Sequence, residues 1–72
     1  MPISDAMITI VLNGKTAPTA ARDLSELVAS FDAGANRVAT AVNGAFVPAD
    51  ARAMTVLKEG DKIEIVSPRQ GG

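Results

Sequence analysis

The dipeptide Asn-Gly occurs twice in this chain, at Asn13-Gly14 and Asn43-Gly44, each time directly after a short run of apolar and β-branched residues. A two-residue type I′ turn needs positive φ at both positions, which Asn tolerates and Gly adopts freely. The twist of that turn also matches the strands it joins. Each pair therefore marks a β-hairpin. The first runs from Met7 through Leu12 (MITIVL), turns, and resumes as an extended segment from Lys15 to Ala20. Alternation puts Ile8, Ile10 and Leu12 on one face, Thr9 and Val11 on the other. The second joins residues 38–42 to Ala45, Phe46 and Val47 and stops at Pro48, which has no N–H to offer a ladder. Alternation does not single out a buried face in residues 38–42.

Between the hairpins the period changes. Leu24, Leu27, Val28 and Phe31 stand at i, i+3, i+4 and i+7, the stripe of an amphipathic helix whose apolar face, Phe31 included, belongs to a core. Asp23 serves as the N-cap and Glu26, three residues on, as the far half of a capping box, while Gly34 offers a left-handed stop. The spacing predicts a helix over residues 24–33. After the second hairpin, residues 49–57 read as irregular chain or a short helical turn, and Lys58-Glu59-Gly60-Asp61 as a turn. Residues 62–66 then alternate cleanly, with Ile63 and Ile65 inward and Lys62 and Glu64 toward water.

This order, two strands, a helix, two strands, a turn and a last strand, predicts an α+β domain with one main helix across a mixed sheet of about five strands. A right-handed crossover would lay the last strand parallel to the first in the middle of the sheet, an arrangement that resembles the β-grasp of ubiquitin-like proteins. Residues 1–6 are expected to be a disordered extension, residues 7–66 the domain, and residues 67–72 a flexible tail. With 72 residues and neither Cys nor His, the chain has no disulfide or ordinary zinc site to lean on, so its core must hold the fold alone. The supply is adequate: 47% of residues are hydrophobic, almost all aliphatic, with Phe31 and Phe46 the two aromatics.

Charge and residue type narrow the function. Seven basic and eight acidic residues are scattered to a net charge of −1, so no basic stripe is present to neutralise a run of phosphates, and nucleic acid is not expected as a partner. Apolar runs are too short for a bilayer and Met1 to Ala6 has no positive leader, so neither a membrane nor an export route is expected, and the chain reads as cytoplasmic. Without Cys, His or Tyr no conventional catalytic triad can be assembled. Asp50, Glu59, Asp61 and Glu64 lack the spacing of an acid/base pair or a metal cage and read as surface and turn residues, so neither catalytic nor metal-binding residues are assigned. Arg52, Lys58 and Lys62 form either a small basic patch near the tail or, the favoured reading, part of a mixed solvent-facing surface. Phe46 and Val47 serve equally as a docking patch for partners or as core and edge packing.

The final residues carry the sharpest signal. The chain reads Ser67-Pro68-Arg69-Gln70-Gly71-Gly72 after Val66. At average usage, two closing glycines arise by chance in roughly one chain in two hundred. A frayed terminus is the plain alternative. Pro68 cannot donate to a sheet and pushes Ser67 away from helical angles, so an arm of five residues, reaching at most about 16 Å, is expected to leave the domain. Pro68, Arg69, Gln70 and Gly71 would thread a partner's cleft, which two residues without Cβ allow to be narrow. A carboxylate at Gly72 becomes electrophilic once a partner transfers AMP to it from ATP, and sulfur displacing that AMP leaves a thiocarboxylate. Such a carrier needs no catalytic side chain of its own.

Taken in order, Thr9 and Ile10 leading into Asn13-Gly14, Ala41-Val42-Asn43-Gly44 with Val47-Pro48, Leu57, Gly60-Asp61 before Ile63-Glu64-Ile65-Val66, and Gln70-Gly71-Gly72 resemble the ThiS-type sulfur carriers of thiamine biosynthesis, within the ThiS/MoaD ubiquitin-like group. The resemblance spans nearly the whole chain from Met7. It implies a protein co-substrate rather than an enzyme, binding no cofactor itself. Its Gly72 would be adenylated by a ThiF-like enzyme using ATP and Mg, sulfur would come through a cysteine desulfurase or other persulfide donor, and delivery would be to a ThiG-like thiazole synthase. A monomer is expected when free. A carrier for molybdopterin or another sulfur-containing product, and a non-covalent ubiquitin-like interaction module, are the alternatives. Two departures stand out: Met1 to Ala6 precede the usual start, and Arg69 replaces a commonly apolar tail residue.

Overall fold

A computed structural model describes residues 7–31 and 38–67. Strands β1 (Ile8–Leu12) and β2 (Lys15–Thr19) form the first hairpin, and β3 (Ala39–Val42) and β4 (Ala45–Val47) the second. Both turns are as the Asn-Gly pairs require: φ is +51° and +87° at Asn13 and Gly14, +52° and +86° at Asn43 and Gly44. The last strand, β5 (Lys62–Val66), lies parallel to β1 and antiparallel to β3, giving the order β2-β1-β5-β3-β4. This five-stranded mixed sheet with helix α1 (Leu24–Ala29) against one face is a β-grasp fold.

The core forms where the helix stripe meets the inward face of the sheet. Leu24, Leu27 and Val28 pack with Ile10, Ile63, Ile65, Val47 and Leu57, while Ile8, Leu12, Val38, Val42, Ala21 and Ala51 close its margins. The inward face of β3 is thus the one carrying Thr40 and Val42, in line with Val38 just before the strand. Thr40 is only 1% exposed, and its hydroxyl is satisfied by donating to the Val47 carbonyl at 2.7 Å.

Helix α1 starts as expected but ends early. Asp23 Oδ1 accepts the Glu26 N–H at 2.9 Å, while Glu26 Oε1 accepts the N–H of Arg22 at 2.8 Å, one residue beyond the reciprocal partner of a capping box. The main chain around Asp23 also bridges to Val56, through Leu24 N–H to Thr55 O at 2.9 Å and Leu57 N–H to Arg22 O at 3.0 Å. At the other end Ser30 is the C-cap: its N–H is shared between the Glu26 and Leu27 carbonyls, and its hydroxyl donates to Leu27 O at 2.7 Å. That competition tightens the last turn toward a 3-10 geometry and ends the helix at Ala29, short of the expected residue 33. It also rotates the i+7 position off the stripe. Phe31 is 37% exposed and outside the core, contrary to the sequence expectation. The Gly34 stop lies outside the described residues, as does the expected extension at residues 1–6.

A 3-10 helix at Ala49–Met54 is the helical turn anticipated between residues 49 and 57. It carries Arg52 inward, 7% exposed, where Nε donates to Thr40 Oγ1 at 3.1 Å and Nη2 to Val38 O at 2.7 Å. Arg52 therefore belongs neither to a basic patch with Lys58 and Lys62 nor to a solvent-facing surface. Its guanidinium fork reaches a hydroxyl acceptor on β3 and a backbone carbonyl just before it, which a lysine's single ammonium would not match.

Candidate functional site

Pro68, Arg69, Gln70, Gly71 and Gly72, the residues singled out for threading and modification, lie outside the described residues. What the structure describes is the base on which they stand. The chain reaches Ser67 directly from β5, the central strand of the sheet.

That strand is held on both edges. Toward β3 it pairs through Ala39↔Val66, Thr40↔Ile65, Ala41↔Glu64 and Val42↔Ile63. Toward β1 the main-chain ladder is shorter, with Val11 N–H donating to Asp61 O and Asn13 N–H to Ile63 O, both at 2.9 Å. Two turn asparagines then add side-chain clamps. Asn13 Oδ1 accepts the Ile65 N–H at 2.9 Å and Asn13 Nδ2 donates to Ile65 O at 3.2 Å. Asn43 Oδ1 accepts the Lys62 N–H at 2.9 Å, and its Nδ2 donates to Asp61 Oδ1 at 3.0 Å. Sequence reasoning assigned both asparagines to turn geometry alone. The available signal was their identity, because a carboxamide places a donor and an acceptor on separate atoms, as a peptide group does.

The sheet face opposite α1 carries the side chains that alternate out of the core. Phe46, Ala41 and Glu64 form one cross-strand row, and Ala39 and Val66 the next. Phe46 is 69% exposed and Val66 54% exposed, so two large apolar groups flank small alanines close to where the chain leaves β5. Val47 points the other way: it is 9% exposed and part of the core, and so is withdrawn from the docking patch that sequence reasoning allowed it to share with Phe46. Strict strand alternation is the reason.

The carboxylates resolve into surface and turn chemistry. Asp61 Oδ2 accepts the Lys58 N–H at 2.9 Å and closes the turn before β5, and Glu59 Oε1 accepts the Thr9 N–H at 3.0 Å. Asp50 and Glu64 are exposed. Among the described residues no group of three acidic side chains is placed to hold a metal, and no helix is long and apolar enough to cross a membrane.

The comparisons with known proteins agree with this geometry. No curated protein matches the chain in sequence. Among solved structures, the thiamine biosynthesis protein ThiS from Geobacter metallireducens is similar over 90% of this chain and 100% of its own, with 26% identity and a TM-score of 0.77. The family model described as the ThiS family matches residues 7–72, from the residue before β1 through the two glycines. The chain belongs to the ThiS family.

Proposed function

We propose that this protein is a sulfur carrier in thiamine biosynthesis, a co-substrate of partner enzymes rather than a catalyst, with Gly72 as the residue that bears the sulfur. The observation that carries the reading is a family match that runs through Gly71-Gly72, on a body whose central strand leads into that segment. The thiamine biosynthesis protein from Geobacter metallireducens, alike over most of the chain, supports the pathway.

The chemistry follows from what a carboxylate lacks. Its oxygen is a poor leaving group, so a ThiF-like enzyme with ATP and Mg would let the Gly72 carboxylate attack the α-phosphate, releasing pyrophosphate and forming an acyl adenylate. A sulfur nucleophile then adds to the carbonyl and AMP departs. If the sulfur arrives as a persulfide from a cysteine desulfurase, the resulting acyl disulfide is cleaved by a second thiol, which is oxidised as the thiocarboxylate is released. The thiocarboxylate then donates sulfur to a ThiG-like thiazole synthase. Pro68, Arg69, Gln70 and Gly71 form the threading segment, and Phe46 with Val66 offers the apolar surface on which the adenylating enzyme seats the body.

Intact mass tests the mechanism. After incubation with the cognate activating enzyme, ATP, Mg and a sulfur source, the protein should gain the difference between one sulfur and one oxygen atom. A variant lacking Gly72 should gain nothing. No change in the full chain with an enzyme of verified activity overturns the proposal.

A further inference from the structure

We infer that Asn13 is a positioning residue for the tail: its side-chain amide acts as one additional peptide unit of β1 and sets the point and direction in which the chain leaves β5. This rests on the carrier reading above. The parallel ladder between β1 and β5 ends with Leu12 opposite Ile63, and its last main-chain bond is Asn13 N–H to Ile63 O. Strand β5 continues to Val66. On that edge the N–H and C=O of Ile65 lie past the end of β1, and Asn13 Oδ1 and Nδ2 take both, at 2.9 Å and 3.2 Å. A carboxamide carries the same donor and acceptor as a peptide group, so the ladder is prolonged without prolonging the strand. The main chain itself has already turned away at Asn13, where φ is +51°.

Asn43 supplies the comparison. It clamps the opposite end of the same strand, taking the Lys62 N–H with Oδ1 and donating its own N–H to Lys62 O at 2.7 Å. The two asparagines occupy equivalent turns, yet one secures the entry of β5 and the other its exit, two residues before Ser67. Removing the Asn13 amide opens the edge of β5 from Ile65 onward on the β1 side, while Val66 stays paired with Ala39. The body still docks, but Gly72 reaches the adenylating site over a wider range of approaches. Productive geometry becomes rarer once bound, which is a loss in kcat rather than in KM.

Asn13→Gly is the sharp test, because Gly suits the positive φ and keeps the turn while deleting both clamp bonds. Adenylation by the cognate enzyme should show kcat reduced about three- to tenfold, the scale of one or two hydrogen bonds, with KM changed less than about twofold. Exchange of the Ile65 amide hydrogen should accelerate about tenfold or more. Asn13→Asp, which keeps the acceptor for the Ile65 N–H and tolerates the turn, should fall between wild type and Asn13→Gly. Asn43→Gly should leave kcat within about twofold of wild type. Equal kcat for wild type and Asn13→Gly, or an equal fall in Asn43→Gly, overturns the positioning role alone. Absence of any modification of the wild-type chain overturns the carrier reading, and this role with it.

Discussion

Replacing Arg52 tests how much of this fold depends on a buried charge. Its Nε and Nη2 donate to Thr40 Oγ1 and Val38 O at 3.1 and 2.7 Å, and the side chain is 7% exposed. Hydrogen bonds from a charged donor contribute about 1.5–3 kcal/mol each, but burying the guanidinium costs it hydration in the wild type, so the two do not simply add. Arg52→Ala strands the Val38 carbonyl, takes a donor from Thr40, and leaves a gap against the margin of the core. The combined loss should be about 2–4 kcal/mol. A chain of 72 residues has roughly 4–11 kcal/mol to lose, so this is a large share. Arg52→Met fills most of the volume while still stranding the acceptors, and should cost about 1–3 kcal/mol. Adding Thr40→Val to Arg52→Met should cost less than Thr40→Val does in the wild type, because the hydroxyl then lacks its arginine partner. Urea titration followed by far-UV circular dichroism measures the wild type and its four variants in one two-state format. A loss under about 0.5 kcal/mol for both Arg52 variants, or strict additivity of the pair, would refute the reasoning.

Asp23→Ala removes the cap on the Glu26 N–H and should lower stability by about 0.5–2 kcal/mol, read in the same titration, with Asp23→Asn recovering most of it. Phe46→Ser, at a residue 69% exposed, should change stability by less than about 0.5 kcal/mol yet weaken binding to the cognate adenylating enzyme measurably in calorimetry. Unchanged affinity would remove Phe46 from the docking surface.

Much of the fold was legible because its signals are local. Two Asn-Gly pairs place the hairpins, and the alternation of residues 62–66 matches β5 (Lys62–Val66) because one face of that strand meets the helix and the other meets water. The start of α1 is visible in Asp23, whose side chain acts three residues away. Its end was not, because Ser30 chooses between continuing the helix and bonding back to Leu27, a balance that periodicity does not register. Arg52 and Thr40 were hidden for a different reason. Each is polar and statistically a surface residue, and each finds a buried hydrogen-bond partner in the other, twelve positions away in sequence. The Asn13 clamp spans fifty-two positions, so only the register of β5 against β1 discloses it. The proposed site at Gly71-Gly72 was picked out by residue type alone; which strand leads toward it, and what holds that strand, required the sheet order.

The sheet order also bears on how a partner meets this protein. A sheet can be recognised along an open edge, by adding a strand, or across its face. Here both edges are blunted. Strand β4 (Ala45–Val47) is three residues long. Strand β2 places Pro18 opposite Thr9, whose own N–H and C=O bond Glu59 and Gly60 on the far side. The pair Thr9 and Pro18 therefore exchanges no hydrogen bonds, and the backbone nitrogen of Pro18 faces the open edge, where the ring removes the donor an incoming strand would need. Strand addition is disfavoured on both sides. Under the proposed function this favours docking across the outer face, with Phe46 and Val66, over strand addition at an edge. Val66 is both exposed on that face and the last residue of β5, so a partner seated there, as proposed, would lie beside the point where the chain leaves the sheet.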